Sequence, residues 1–229
     1  MLIKLLPFLL IAVGLYAWVR VQAWASGRNL RRQSRPLAND RLERLVAQLA
    51  ETAGVDQIRV RVLDQAMING LATPGGEIYV TSGLVREVQR GRVSADEFAS
   101  VVAHELGHLA LGHTRRRIIE VTGAQAATLI VGGLLARLIP VVGWYLARFI
   151  SNFFVASLSR KDEFEADRYA TALMLRAGLG AEPQARMLEK LEELAPGAHT
   201  YAVSWLASHP PVAERARAIR ENAGRWLTA

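Results

Sequence analysis

His104-Glu105-Leu106-Gly107-His108 follows Ser94 and Glu97, and the reading of that run decides the fold. Ser94 with Glu97 three residues on is a capping-box pattern, so the spacing predicts a helix that carries both histidines. Two histidines four residues apart fall on one helix face, one turn apart, and both imidazoles can reach a single ion. Glu105 is then placed to polarise water at that metal instead of binding it. In a chain of this composition the pattern arises by chance about one time in a hundred. The competing reading is a helix with two surface histidines.

A catalytic zinc takes three protein ligands and keeps one position open. The chain contains no cysteine, so any transition metal must be held by histidine and carboxylate, and disulfides and thiol nucleophiles are excluded. His113 lies five residues past His108, off the ligand face of a continuous helix. The metzincin spacing would need a histidine where Thr114 stands. His113 is therefore expected to be solvated at the helix end, where its charge suits the dipole. Glu163, in Ser159-Arg160-Lys161-Asp162-Glu163-Phe164-Glu165-Ala166-Asp167, is the better candidate. Glu163 and Asp167 share a helix face, which suits a ligand and a group that accepts the free ring N–H of a ligating histidine. The competing reading is an acidic solvated face.

Four stretches in order make the resemblance specific. They are Thr73-Pro74-Gly75-Gly76-Glu77-Ile78-Tyr79-Val80-Thr81-Ser82-Gly83-Leu84, the His104–His108 run, Ser159 to Asp167, and Ser208-His209-Pro210-Pro211 with Arg215. Together they resemble the HtpX-like and type I CAAX prenyl protease zinc endopeptidases, members of the gluzincins, from about Asp40 to the C-terminus. The resemblance implies one zinc ion per chain held by His104, His108 and Glu163, with Glu105 as general base. It puts His209 and Arg215 near the site, to stabilise the oxyanion or to occupy the open zinc position in a latent state. By sequence, His209 reads equally as a turn residue before a proline-started helix. The family's Asn-Ala-Phe-Ala strand is here Asn69-Gly70-Leu71-Ala72, which bears on the substrate groove or the strand's packing. The gap from His108 to Glu163 is also short beside members with two full membrane spans there.

The fold class expected is α+β, mainly helical. It comprises a gluzincin-type peptidase domain over residues 40–229, a small three-stranded sheet, an N-terminal transmembrane helix and a central apolar helical hairpin. Strands are expected over Ile58–Leu63, Met67–Ala72 and Ile78–Thr81, the first by its alternation of apolar and basic residues. A helix capped at Asn39 or Asp40 and ended at Gly54 precedes them. Further helices are expected around Asp162–Ala177, Pro183–Leu194 and Pro211–Asn222.

Residues 1–25 are apolar apart from Lys4, Arg20 and Gln22, long enough to cross a bilayer as a signal anchor. The rival is a cleaved signal peptide at Ala23-Trp24-Ala25, against which Arg20 and the arginines that follow weigh. Residues 26–39 read as a basic juxtamembrane linker. The net charge of +7 raises the question of nucleic acid. The basic clusters at Arg28–Arg35, Arg115–Arg117 and Arg160–Lys161 each border an apolar stretch, however, which fits lipid head groups and no nucleic-acid partner. The apolar stretches Val121–Ile139 and Val141–Leu158 form the expected hairpin over residues 121–158. Three readings stand: two membrane spans, a re-entrant hairpin, or a soluble helical pair. Arg137 and Arg148 make clean double spanning expensive.

The chemistry expected is hydrolysis of peptide bonds in an extended or unfolded polypeptide, with quality control of membrane proteins as the role. Arginine placement points to an inner cell membrane of bacterial type with the catalytic domain in the cytoplasm, the periplasmic side being the alternative. The Ile78–Thr81 strand, as a sheet edge, could hold an extended peptide by backbone pairing. The rivals are a non-catalytic zinc-binding membrane chaperone or scaffold, an intramembrane-cleaving protease, and a latent protease gated by His209. The sequence leaves the oligomeric state open.

Overall fold

The computed structural model describes residues 27–138, 142–194 and 212–228. The expected anchor over residues 1–25 and the stretch containing His209 lie outside the described residues. Helix α1 (Asp40–Ala53) starts where the Asn39 side chain accepts from the Leu42 N–H at 3.1 Å. It ends where Gly54 turns left-handed, at φ +70°. Leu42, Val46, Leu49 and Ala50 are its buried stripe. A fully buried Leu or Val contributes about 1.5–3 kcal/mol, so this face holds the helix in place more than intrinsic propensity does.

The sheet has four strands: β1 (Ser34–Pro36), β2 (Arg59–Leu63), β3 (Gly70–Ala72) and β4 (Glu77–Thr81). Their order is β1-β2-β4-β3, with β2 and β4 parallel and the outer pairs antiparallel. This corrects the three-stranded expectation, because β1 comes out of the basic linker. It is too short and polar to show alternation, and Pro36 is tolerated there because β1 is an edge strand. Arg61 anchors it, donating from Nη2 to the Ser34 carbonyl and from Nε to the Ser34 hydroxyl, both at 2.9 Å. The Ile78–Thr81 strand is not an edge either. It is paired on both sides, and the edge beside the histidine helix is β3.

After β4 the elements among the described residues are all helices: α2 (Ser82–Gln89), α3 (Ala95–Ala110), α4 (His113–Leu138), α5 (Val142–Arg176), α6 (Glu182–Leu194) and α7 (Val212–Leu227). Helix α3 carries the predicted capping box. Glu97 N–H donates to Ser94 Oγ at 3.1 Å, and the Ser94 N–H donates to the Glu97 carboxylate at 2.7 Å. Phe98, Ala99, Val102 and Ala103 are fully buried, because α3 runs between the strands β3 and β4 and the helices α1, α5 and α6. Helices α4 and α5 pack along each other. Helix α5 runs unbroken from its apolar stretch into the Glu163 segment, and so delivers that carboxylate to α3. No helix among the described residues is long and apolar enough to cross a membrane.

Candidate metal centre

Gly107 lets α3 and α5 meet. A Cβ on it would lie 3.0 Å from the Ala166 carbonyl oxygen and 3.2 Å from Ala166 Cα, so only glycine admits this approach without a shift. The approach brings three donor side chains together. His104 Nε2 lies 3.1 Å from His108 Nε2 and 3.3 Å from Glu163 Oε2, and His108 Nε2 lies 3.4 Å from Glu163 Oε1. All three side chains are buried. A tetrahedral ion with bonds of about 2.0–2.1 Å sets its donors about 3.3–3.4 Å apart, so the spacing and donor set fit zinc.

Asp167 lies one turn beyond Glu163, with Oδ1 3.0 Å from His104 Nδ1. Burial alone would push His104 down, but Asp167 and Glu163 outweigh it and raise it to about 10. The pocket thus attracts positive charge, and a metal cation would replace that proton. Burial works against the Asp167 carboxylate too, yet Arg215 holds it down at about 2. The Arg215 guanidinium is wholly buried, bonded to both Asp167 oxygens and 3.3 Å from Glu163 Oε2. It reaches the site through its carboxylates.

Glu105 is 3% exposed, and burial pushes its carboxyl above the usual range. The Ala72 backbone hydrogen-bonds it and pulls the other way, which ties the edge strand β3 to this carboxylate.

His113 departs from expectation: it is 2% exposed, not solvated. Helix α3 ends at Ala110, Gly112 adopts φ +71°, and α4 starts afresh at His113. That left-handed residue breaks the helical phase that would have carried His113 off the His108 face. The glycine directly before His113 was the sequence signal for the break. A second group of possible donors, His113, Asp162 and Glu165, forms there. Arg116 pairs with Asp162 and lies 3.9 Å from Glu165, while Lys161 lies 3.7 Å from Glu165. Resident cations thus already balance its charge.

The model for Peptidase family M48 matches residues 36–223. Among similar proteins, metalloprotease LoiP of Escherichia coli (strain K12) is 29% identical over 184 residues, covering 79% of this chain and 69% of that protein. Metalloprotease YcaL of the same organism is 29% identical over 187 residues, 79% and 68%. A protease HtpX homolog of Salinibacter ruber is 28% identical over 212 residues, 80% and 75%.

Proposed function

The chain belongs to peptidase family M48 and is a metalloendopeptidase, and on that premise we propose that His104, His108 and Glu163 hold one zinc ion while Glu105 acts as general base. The observation that carries the reading is the set of three buried side chains whose nearest donor atoms lie 3.1–3.4 Å apart, Glu163 turning one oxygen to each histidine. A bound zinc polarises the scissile carbonyl and the attacking water. Glu105 takes the proton from that water at its carboxylate and gives it to the leaving amine. A carboxyl lifted by burial is better matched to both transfers than an exposed one. Asp167 accepts the His104 Nδ1–H and fixes its tautomer. Arg215, enclosed by carboxylates, acts by positioning Asp167 and Glu163. His209 is the proposed donor to the oxyanion.

An extended polypeptide is the proposed substrate, paired along β3, where the Ala72 backbone already meets Glu105. Attachment to a bilayer, with membrane or misfolded proteins as substrates, is proposed from the apolar N-terminal segment and its arginines. Ile119 on α4 and Tyr145 on α5, 72% and 69% exposed, support it. The test is Glu105→Gln. Cleavage of an unstructured polypeptide should fall by several orders of magnitude while zinc content stays at one per chain. Undiminished cleavage overturns the reading.

A further inference from the structure

His108 turns Nε2 toward the donor cluster, so its other ring nitrogen faces outward, 3.1 Å from Nδ1 of His113. The far nitrogen of His113, Nε2, lies 3.1 Å from Glu165 Oε2 and 3.8 Å from Asp162 Oδ1. On the side away from the cluster, His104 Nδ1 meets the Asp167 carboxylate directly, whereas His108 Nδ1 meets the His113 ring, which in turn meets Glu165.

Proton positions along this row are constrained. An ionised carboxylate only accepts, so His113 Nε2 must carry a hydrogen to bond Glu165. A neutral His113 then has a bare Nδ1, which accepts. His108 must therefore carry its hydrogen on Nδ1, which leaves the Nε2 lone pair aimed at the cluster. For neutral rings, one tautomer of each satisfies both contacts.

We propose that His113 is a positioning residue: with Glu165 it fixes the tautomer and ring plane of His108, so that His108 Nε2 is a ready lone-pair donor. The proposal rests on the reading of His108 as a zinc ligand. It also explains the chain break at Gly112, which returns His113 to the face that helical spacing would deny it.

The test is zinc affinity of the full chain, measured by chelator competition, for the parent, His113→Phe and His113→Gln. Phenylalanine keeps a ring but cannot accept a hydrogen bond. Glutamine offers an amide oxygen toward His108 and an amide N–H toward Glu165. Removing such an outer support typically weakens metal binding about 10- to 100-fold. That loss is expected for His113→Phe, with most of it recovered in His113→Gln. Glu165→Ala should weaken zinc binding in the parent and add nothing in the His113→Phe background, because it acts through the ring. Parent-like affinity in His113→Phe, no recovery by Gln, or an additive Glu165→Ala overturns the proposal. Where His113→Phe does not fold, Glu165→Ala alone decides, Asp162 being held by Arg116: unchanged affinity overturns it. A parent chain that binds no zinc sinks the metal-centre reading itself, whereas a zinc-binding parent with indifferent variants sinks only the role of His113.

Discussion

Arg215 and Asp167 form a two-point ion pair inside the protein, with Nε 2.6 Å from Oδ2 and Nη2 2.8 Å from Oδ1. Neither side chain is more than 3% exposed. The pair ties α7 to α5 directly behind His104. Truncating one partner of a buried pair strands the other charge and costs about 3–5 kcal/mol. Arg215→Ala should therefore lower the unfolding free energy by that order in urea titrations. Arg215→Lys should recover only part, since an ammonium cannot match both oxygens at once. A loss well below about 1 kcal/mol would mean that the site's carboxylates are neutralised elsewhere.

Asp167 should also set an acid limit on the zinc-free fold. Its carboxyl is held at about 2, against 3.8 when unperturbed. A depressed folded-state value contributes stability that is present above about pH 4 and is lost as pH falls through about 2. Between pH 4.5 and 2.5 the loss from this group comes to about 1.5 kcal/mol. In Asp167→Asn that increment should vanish from the difference between the two pH values. His104, raised to about 10, titrates outside this window and does not confuse the comparison. Parallel pH profiles for parent and variant would remove Asp167 as the cause.

Local spacing made part of this site readable in advance. His104 with His108, Glu163 with Asp167, and Ser94 with Glu97 are each pairs within one helical turn, where sequence separation fixes the face. His113 escapes that rule because Gly112 interrupts the helical phase, and five residues along an unbroken helix would face elsewhere. The pairing of Arg215 with Asp167 spans two helices far apart in sequence, a relation no local pattern encodes. Strand β1 was hidden because Ser34-Arg35-Pro36 has no alternation. Strand order decided that β3, and not β4, lies at the edge, and order depends on tertiary pairing.

Gly107 offers a case in which two effects predict opposite signs. In an exposed helix interior, Gly→Ala stabilises by about 0.8–1.0 kcal/mol through helix propensity. Here the new Cβ would meet Ala166 backbone atoms at 3.0 and 3.2 Å, which cannot rotate away. Overpacking of this kind costs about 1–3 kcal/mol, so packing should win. Gly107→Ala is expected to be destabilised in thermal unfolding and to bind zinc more weakly, because parting α3 from α5 draws Glu163 away from the histidines. A stabilised variant with parent-like zinc affinity would show that the helices can separate without disturbing the donors.

Zinc-linked stability tests the third ligand. A ligand that binds only the native state stabilises it by about 2.7 kcal/mol at 100 times its Kd. The parent should thus unfold at a clearly higher temperature with zinc than with chelator. Glu163→Ala should lose most of this increment, since two imidazoles remain and the anionic donor facing both, at 3.3 and 3.4 Å, is gone. Its zinc-free form should suffer less than the zinc-bound form, because without Glu163 the Arg215 guanidinium still has both oxygens of Asp167. The comparison of variant with parent should therefore diverge when zinc is added and converge when it is chelated. A Glu163→Ala chain that zinc stabilises as strongly as the parent would move the third ligand away from α5's Glu163. The group formed by His113, Asp162 and Glu165 would then be the next place to look, with Arg116→Ala testing whether its resident cation excludes a metal.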